Sequence, residues 1–191
     1  MAQLAPTRRF NVHEYHRMAV AGILTEDDRV ELIEGEILTM TPQGTAHFTA
    51  MSLAQEALRA AVGPELHVRT QGPLALGSAS EPEPDIAIVG GKVRDYRDHH
   101  PASAVLVIEI ADSSIAHDRE DKGSLYARFG IPEYWIVNLP ERVIEVYRDR
   151  EPEERARFGW RYRRVERYSA GDIIVPATLP GARMAVADLL P

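Results

Sequence analysis

A chain of 191 residues with 45% hydrophobic side chains can bury one sizeable core, is expected to form a single domain over 1–191, and does not have a collagen-like, coiled-coil or disordered composition. It has no cysteine, which excludes disulfides, thiolate zinc sites and iron–sulfur clusters and leaves oxygen or imidazole ligands, hence hard cations, for any metal. The formal charge of -7 argues against bulk attraction to nucleic acid. The opening MAQLAPTRRF lacks an apolar leader and no apolar run reaches the ~18–20 residues of a membrane span, so a cytoplasmic protein that does not enter the membrane is expected.

In chain order the elements alternate between helix and strand. Asn11 with Glu14 three residues on forms a capping-box pattern for a short helix running to about Ala21 and stopping at Gly22. VELIEGEILTM, from Val30, has two apolar arms around Glu34-Gly35 and predicts a hairpin. From Thr45 to Val62 the spacing of Phe48, Met51, Leu53, Leu58 and Val62 predicts a helix with one apolar face, His47 in its first turn. Strands are expected at His67–Thr70, Leu74–Leu76, Asp85–Val89 and Val105–Ile110, the last apolar at nearly every position and therefore buried on both faces. Residues 116–129 predict a helix stopped by Gly130 and Pro132. Strands follow at Glu133–Val137 and Val143–Arg148. The mixed-charge region 149–164 includes an expected exposed loop, and Trp160–Tyr168 is a further candidate strand. The fold class is α/β with mixed α+β character: a central mixed sheet flanked by helices, preceded by a helix and a hairpin.

The run EPEPDIAIVGG places an acid at the start of a buried strand. About 15 residues separate Asp85–Val89 from Val105–Ile110, too few for an obvious crossover helix, so antiparallel pairing is the simpler arrangement. If Val89 faces Val105, Asp85 faces Glu109 on one side of the sheet, with Cβ atoms about 4.5–5.5 Å apart. Two carboxylates so placed repel and favour a divalent cation; a slip of one residue would send them to opposite faces. Downstream, Asp118, Lys122 and Tyr126 fall at i, i+4 and i+8 on one helix stripe. A lysine beside two carboxylates and a metal suits phosphodiester hydrolysis, which needs a positioned water and stabilisation of developing negative charge.

These residues resemble the PD-(D/E)xK nuclease superfamily, and more closely its bacterial branch of restriction endonuclease-like domains long catalogued as a domain of unknown function. The segments VELIEGEI, His47 at a helix start, PDIAIV, VLVIEIADSS, DREDKGSLYARFGIPEYWIVN and RVIEVYR follow that branch's order over most of the chain. The resemblance implies a restriction endonuclease-like core and a magnesium- or manganese-dependent DNA endonuclease, with Asp85 and Glu109 as metal ligands and Lys122 as the charge-stabilising or water-orienting base. It also implies Glu31 as an auxiliary group, Glu34 being less suited at the turn; His47, Asp118 and Tyr126 complete the candidate set. The chain departs from the superfamily at Ala111, where the usual lysine stands, and from the branch at Asp112-Ser113, where a serine-proline step is usual.

Plainer roles compete with each of these. Asp85 is also compatible with a strand-edge acid, Lys122 with an i,i+4 ion pair to Asp118, His47 with a cap or a satisfied core histidine, and His99-His100 with a solvated loop. Glu109 is the hardest to dismiss, because a buried charge is costly unless paired or metal-bound. The arginines from Arg142 to Arg167 are interleaved with acids and suit a solvated face, while Tyr134 and Trp135 suit the core. Two functional classes fit: a metal-dependent endonuclease acting on DNA as a homo-oligomer, most simply a dimer that cuts two strands with two copies of one site; or a catalytically weak or inactive relative serving as a nucleic-acid-binding or protein-interaction module.

Overall fold

The structure is a computed structural model that describes residues 7–25 and 27–191, so the first six residues of the N-terminal stretch weighed above lie outside the described residues. Helix α1 (Val12–Val20) begins at Asn11, whose side chain accepts the Glu14 N–H while the Glu14 carboxylate takes the Asn11 N–H. The hairpin β1 (Val30–Ile33) and β2 (Glu36–Thr39) turns through Glu34 and Gly35, both at positive φ, the backbone that a two-residue hairpin turn requires. Gly35 has a second reason to be glycine: a Cβ there would lie 2.6 Å from Arg9 Cβ.

Helix α2 (Thr45–Ala61) lays Ala50, Met51, Ala54 and Leu58 against the sheet. The stripe that packs inward is therefore His47, Met51, Ala54, Leu58, which aims His47 towards the sheet. Phe48, expected on the apolar face, is instead 60% exposed, and Leu53 is half-buried. Small alanines let the helix approach closely and displace the larger side chains to its flanks.

Six strands form the central sheet in spatial order β3 (Leu66–Thr70), β4 (Ile86–Gly90), β5 (Leu106–Ala111), β6 (Glu133–Asn138), β7 (Val143–Pro152) and β8 (Trp160–Tyr168). Every neighbouring pair is antiparallel except β5 and β6, which are parallel and joined by a helical crossover. That crossover comprises an α turn Ile115–His117, a π turn Asp118–Lys122 and an α segment Gly123–Arg128, together α3. One sheet face carries α2 and the C-terminal segment, including β9 (Ile173–Ile174) and β10 (Met184–Ala185); the other carries α3 and the β1–β2 hairpin. Tyr134 and Trp135 are fully buried core residues.

One expected strand is corrected. Leu74–Leu76 is not a strand: Leu74 and Leu76 are buried, but their N–H groups bond singly to Pro82 and Ser80 carbonyls, and Pro82 and Pro84 lack the N–H groups that a ladder would need. The region 149–164 does include the expected loop, at 153–159, and Trp160–Tyr168 is a strand; β7 runs further than expected, pairing through Arg150↔Tyr162 to Pro152↔Trp160. Charges on the paired part sit opposite one another, as in the Arg161–Glu151 pair at 2.8 Å, and support the strands, while Glu154, Arg155 and Arg157 are exposed in the loop. Among the described residues no helix is long and apolar enough to cross a membrane.

Candidate active site

The pairing of β4 with β5 sets Ile86 opposite Ile108 and Ala87 opposite Val107. Continued by one residue, this register carries Asp85 opposite Glu109, on the face that Ala87 and Val107 share with α3. The two acids do not simply confront each other. The Asp85 N–H donates to Glu109 Oε2 at 3.2 Å, and the Ile110 N–H donates to Asp85 Oδ2 at 2.8 Å. Each carboxylate is thus held by the main chain of the opposite strand. Asp85 also meets His47 Nε2 at 3.1 Å, across the end of β4, and Gln43 Nε2 at 3.3 Å.

Lys122 reaches the pair from α3. Its Nζ lies 3.1 Å from Glu109 Oε1 and 3.4 Å from Glu31 Oε2, the latter supplied by β1. Tyr126, one turn on, donates to the same Glu109 Oε1 at 2.7 Å. Asp118, the i,i+4 neighbour of Lys122, is buried and accepts from Ser114 Oγ at 2.6 Å. Among the described residues it makes no ion pair with Lys122, so the helix-pair role is displaced by two partners from other elements. The π turn contributes here: the Gly123 N–H bonds to the Asp118 carbonyl, five residues back, and the Tyr134 hydroxyl donates to that same carbonyl at 3.0 Å. Such widened turns recur at functional sites.

Asp85, Glu109, Lys122, Glu31, His47 and Asp118 all line one cavity of about 380 Å³. Tyr126 lies behind its wall, fully buried. His99 and His100 lie elsewhere, and Glu34 faces outward on the hairpin turn, paired with Arg128 at 2.8 Å. Asp112 is exposed at the cavity rim. The sequence reading missed His117, Ser114 and Gln43. His117 Nδ1 bonds Asp121 at 2.8 Å, an i,i+4 contact legible on a helix, but its other nitrogen approaches Glu31 at 3.9 Å only because the hairpin docks there.

Burial pushes the Glu109 carboxyl up to about 8; Lys122 opposes this and the Asp85 charge adds to it. For Lys122, burial favours the neutral amine, but Glu109, Glu31 and Asp118 outweigh it and hold the ammonium firmly protonated. Burial likewise works against Glu31, yet Lys122 and the His117 ring leave its carboxyl below the usual range. The cavity therefore contains a persistent ammonium among more carboxylates than it can neutralise.

That excess tests the fit for a cation. Among the described residues no three His, Asp or Glu side chains converge as a ready protein cage. The donors at hand are two opposed carboxylates facing an open cavity, which suits magnesium or manganese, since such ions take one or two carboxylates and complete their shell with water and substrate oxygens.

Comparison with known proteins agrees with the fold. No curated protein sequence matches the chain. A crystal structure described as a putative nuclease of a family of unknown function, from Anabaena variabilis, superposes with a TM-score of 0.67 over 94% of this chain and 97% of that one. At 16% identity, this likeness concerns the fold alone. The sequence profile of the Uma2 family, described as "Putative restriction endonuclease", matches residues 12–187. The chain belongs to that family, and its sheet and helices are those of a restriction endonuclease-like core.

Proposed function

We propose that this protein is a divalent-metal-dependent endonuclease that hydrolyses phosphodiester bonds in DNA, working as a homodimer. One observation carries the reading: Asp85, Glu109, Glu31 and Asp118 surround a single cavity with one lysine among them. Asp85 and Glu109 would hold magnesium or manganese, which when bound supplies Lewis-acid polarisation of a phosphate oxygen and lowers the pKa of water. Lys122 presents an ammonium held by Glu109 and Glu31, suited to orient the attacking water and to offset negative charge growing on the phosphate. Tyr126 fixes the Glu109 carboxylate, and His47 with the Ile110 N–H fixes that of Asp85, so neither acid reorganises during reaction.

The test is incubation with plasmid and with single-stranded DNA, in magnesium or manganese and then in chelator. Cleavage is expected only with metal, and Asp85→Ala or Glu109→Ala should each abolish it. Cutting that persists in chelator, or in either variant, overturns the assignment. A parent that binds DNA but cuts neither substrate with either ion would favour the nucleic-acid-binding module.

A further inference from the structure

Phe48 contributes to neither core cluster and is 60% exposed. Scattered exposed aliphatics are ordinary on a protein surface, and Val20, Ile23, Val93 and Val175 are of that kind here. Phe48 differs in chemistry and in place. It is the one aromatic among the large exposed apolar side chains of the described residues, and it directly follows His47, whose Nε2 contacts Asp85. Side chains on a helix lean towards its N-terminus, which directs the ring towards the turn that contains Gly44. Gly44 lines the catalytic cavity, and a Cβ placed on it would meet nothing within 4 Å. Phe48 itself does not line the cavity; its exposed ring stands one helical turn from Gly44, a residue of the rim with open space beside it.

The electrostatics say what that face is for. Besides the acids already described, Glu83 and Asp112 line the cavity, against which Arg29 and Lys122 are its only lysine or arginine residues. With a net charge of -7, the chain has little general attraction for a phosphate backbone. Stacking of a base on an aromatic ring does not depend on charge and contributes about 1–3 kcal/mol per base. In a duplex the base faces are already covered by their neighbours, so only an unpaired base can use the ring. We infer that Phe48 is a stacking platform for an unpaired base next to the scissile phosphate, and that the site therefore takes single-stranded or frayed nucleic acid in preference to intact duplex. This rests on the nuclease reading above and adds a substrate class to it.

The test reads binding and does not need cleavage. A fluorescein-labelled oligodeoxynucleotide, single-stranded or annealed to a blunt duplex, is titrated by anisotropy in calcium and again in chelator. Phe48→Ala should weaken single-strand binding roughly five- to a hundredfold and leave duplex binding unchanged. Phe48→Trp should restore it, and its added emission should be quenched by the single strand and not by the duplex. Raising salt should weaken the binding only shallowly, because few phosphates are neutralised. The inference is overturned if Phe48→Ala binds the single strand like the parent, if the parent does not bind it at all, or if duplex quenches Phe48→Trp equally. It also fails if Phe48→Ala changes the oligomeric mass in sedimentation, which would make the ring a contact between copies. The two readings fail separately: an active parent with no dependence on Phe48 sinks the stacking alone, and Phe48-dependent binding by a protein that never cuts sinks the nuclease alone.

Discussion

In β6 and β7 each buried carboxylate has its own arginine. Glu133 accepts from Arg148 Nε at 3.0 Å and Nη2 at 2.6 Å, with Trp135 Nε1 and the Ala177 N–H completing its shell. Glu145 accepts from Arg119 Nε at 3.0 Å and Nη2 at 2.5 Å, from Asn138 and from Tyr147. Two strands away, Glu31, Asp85, Glu109 and Asp118 line one cavity with only Lys122, which pairs with Glu109 and Glu31, and Arg29 as its lysine and arginine residues. Both regions lie in one sheet system and both bury acids, so burial by itself does not distinguish structure from chemistry. The difference is in neutralisation: the first region is complete without a ligand, whereas the second, on the function proposed above, would be completed by an added cation.

The comparison breaks most sharply on stability. Glu133→Gln leaves the buried Arg148 with only the more exposed Glu166 as counter-charge and should cost about 3–5 kcal/mol, read as a fall in melting temperature, with cleavage per folded molecule unchanged. In chelator Asp85→Asn should do the opposite and melt above the parent, because it relieves a crowded negative cluster. Were both substitutions to destabilise alike, the two regions would be equivalent ion-pair networks. Next in size is Lys122→Met, which keeps length and helix propensity. Loss of one charge-stabilising donor typically lowers kcat about 10²–10³-fold, and circular dichroism should stay unchanged. Normal cutting by that variant would reduce Lys122 to a structural counter-ion.

Much of this contrast was legible in the sequence, for reasons that differ by residue. Asp85 and Glu109 were readable because an acid at PDIAIV or VLVIEI violates the pattern of a doubly buried strand. Their pairing, by contrast, rests on an assumed Val89 facing Val105, a register that apolar neighbours on both faces do not fix and that the strands adopt. Glu31 as the second partner of Lys122 was not derivable from spacing, since that contact depends on how the hairpin docks on α3. The π turn has no sequence signature here; it reflects tertiary anchoring of the Asp118 carbonyl by Tyr134. Phe48 was misplaced because apolar periodicity gives a phenylalanine more weight than the alanines that seat α2.

Metal should act on one region only. A ligand that binds only the folded state stabilises it by about 2.7 kcal/mol at a hundredfold excess over Kd, and about 2–4 °C of melting temperature accompanies each kcal/mol in a chain of this size. Magnesium or manganese should therefore raise the melting temperature of the parent and of Glu133→Gln alike, and that of Asp85→Asn or Glu109→Gln much less. Equal responses in all four proteins, or none at millimolar metal, would remove the cation from the second region.

The smallest effect is a pair of opposite pH signatures. Burial would raise the Glu145 carboxyl, but Arg119, Asn138 and Tyr147 outweigh it and hold it at about 2. The unfolded chain thus binds this proton more readily, so Glu145 contributes stability above the ordinary glutamate value of 4.5 that is lost as pH falls towards 2. Glu109 works the other way. Its folded carboxyl, raised by burial to about 8, keeps a proton that the unfolded chain releases near 4.5, so its contribution is full below 4.5 and is lost as pH rises through 8. The slope is at most about 1.4 kcal/mol per pH unit. In chelator, the melting-temperature gap between parent and Glu145→Gln should close in acid, while Glu109→Gln should gain on the parent as pH climbs from about 5 to about 8, having no proton to lose. His117 is also raised, by its bonds to Glu31 and Asp121, and falls in the same direction as Glu109, which is why the difference from Glu109→Gln must be read and not the parent's slope alone. Parallel curves for Glu109→Gln and parent across that range would mean that Glu109 stays ionised in the folded protein, with Lys122 sufficient as its partner and no vacancy for a second cation.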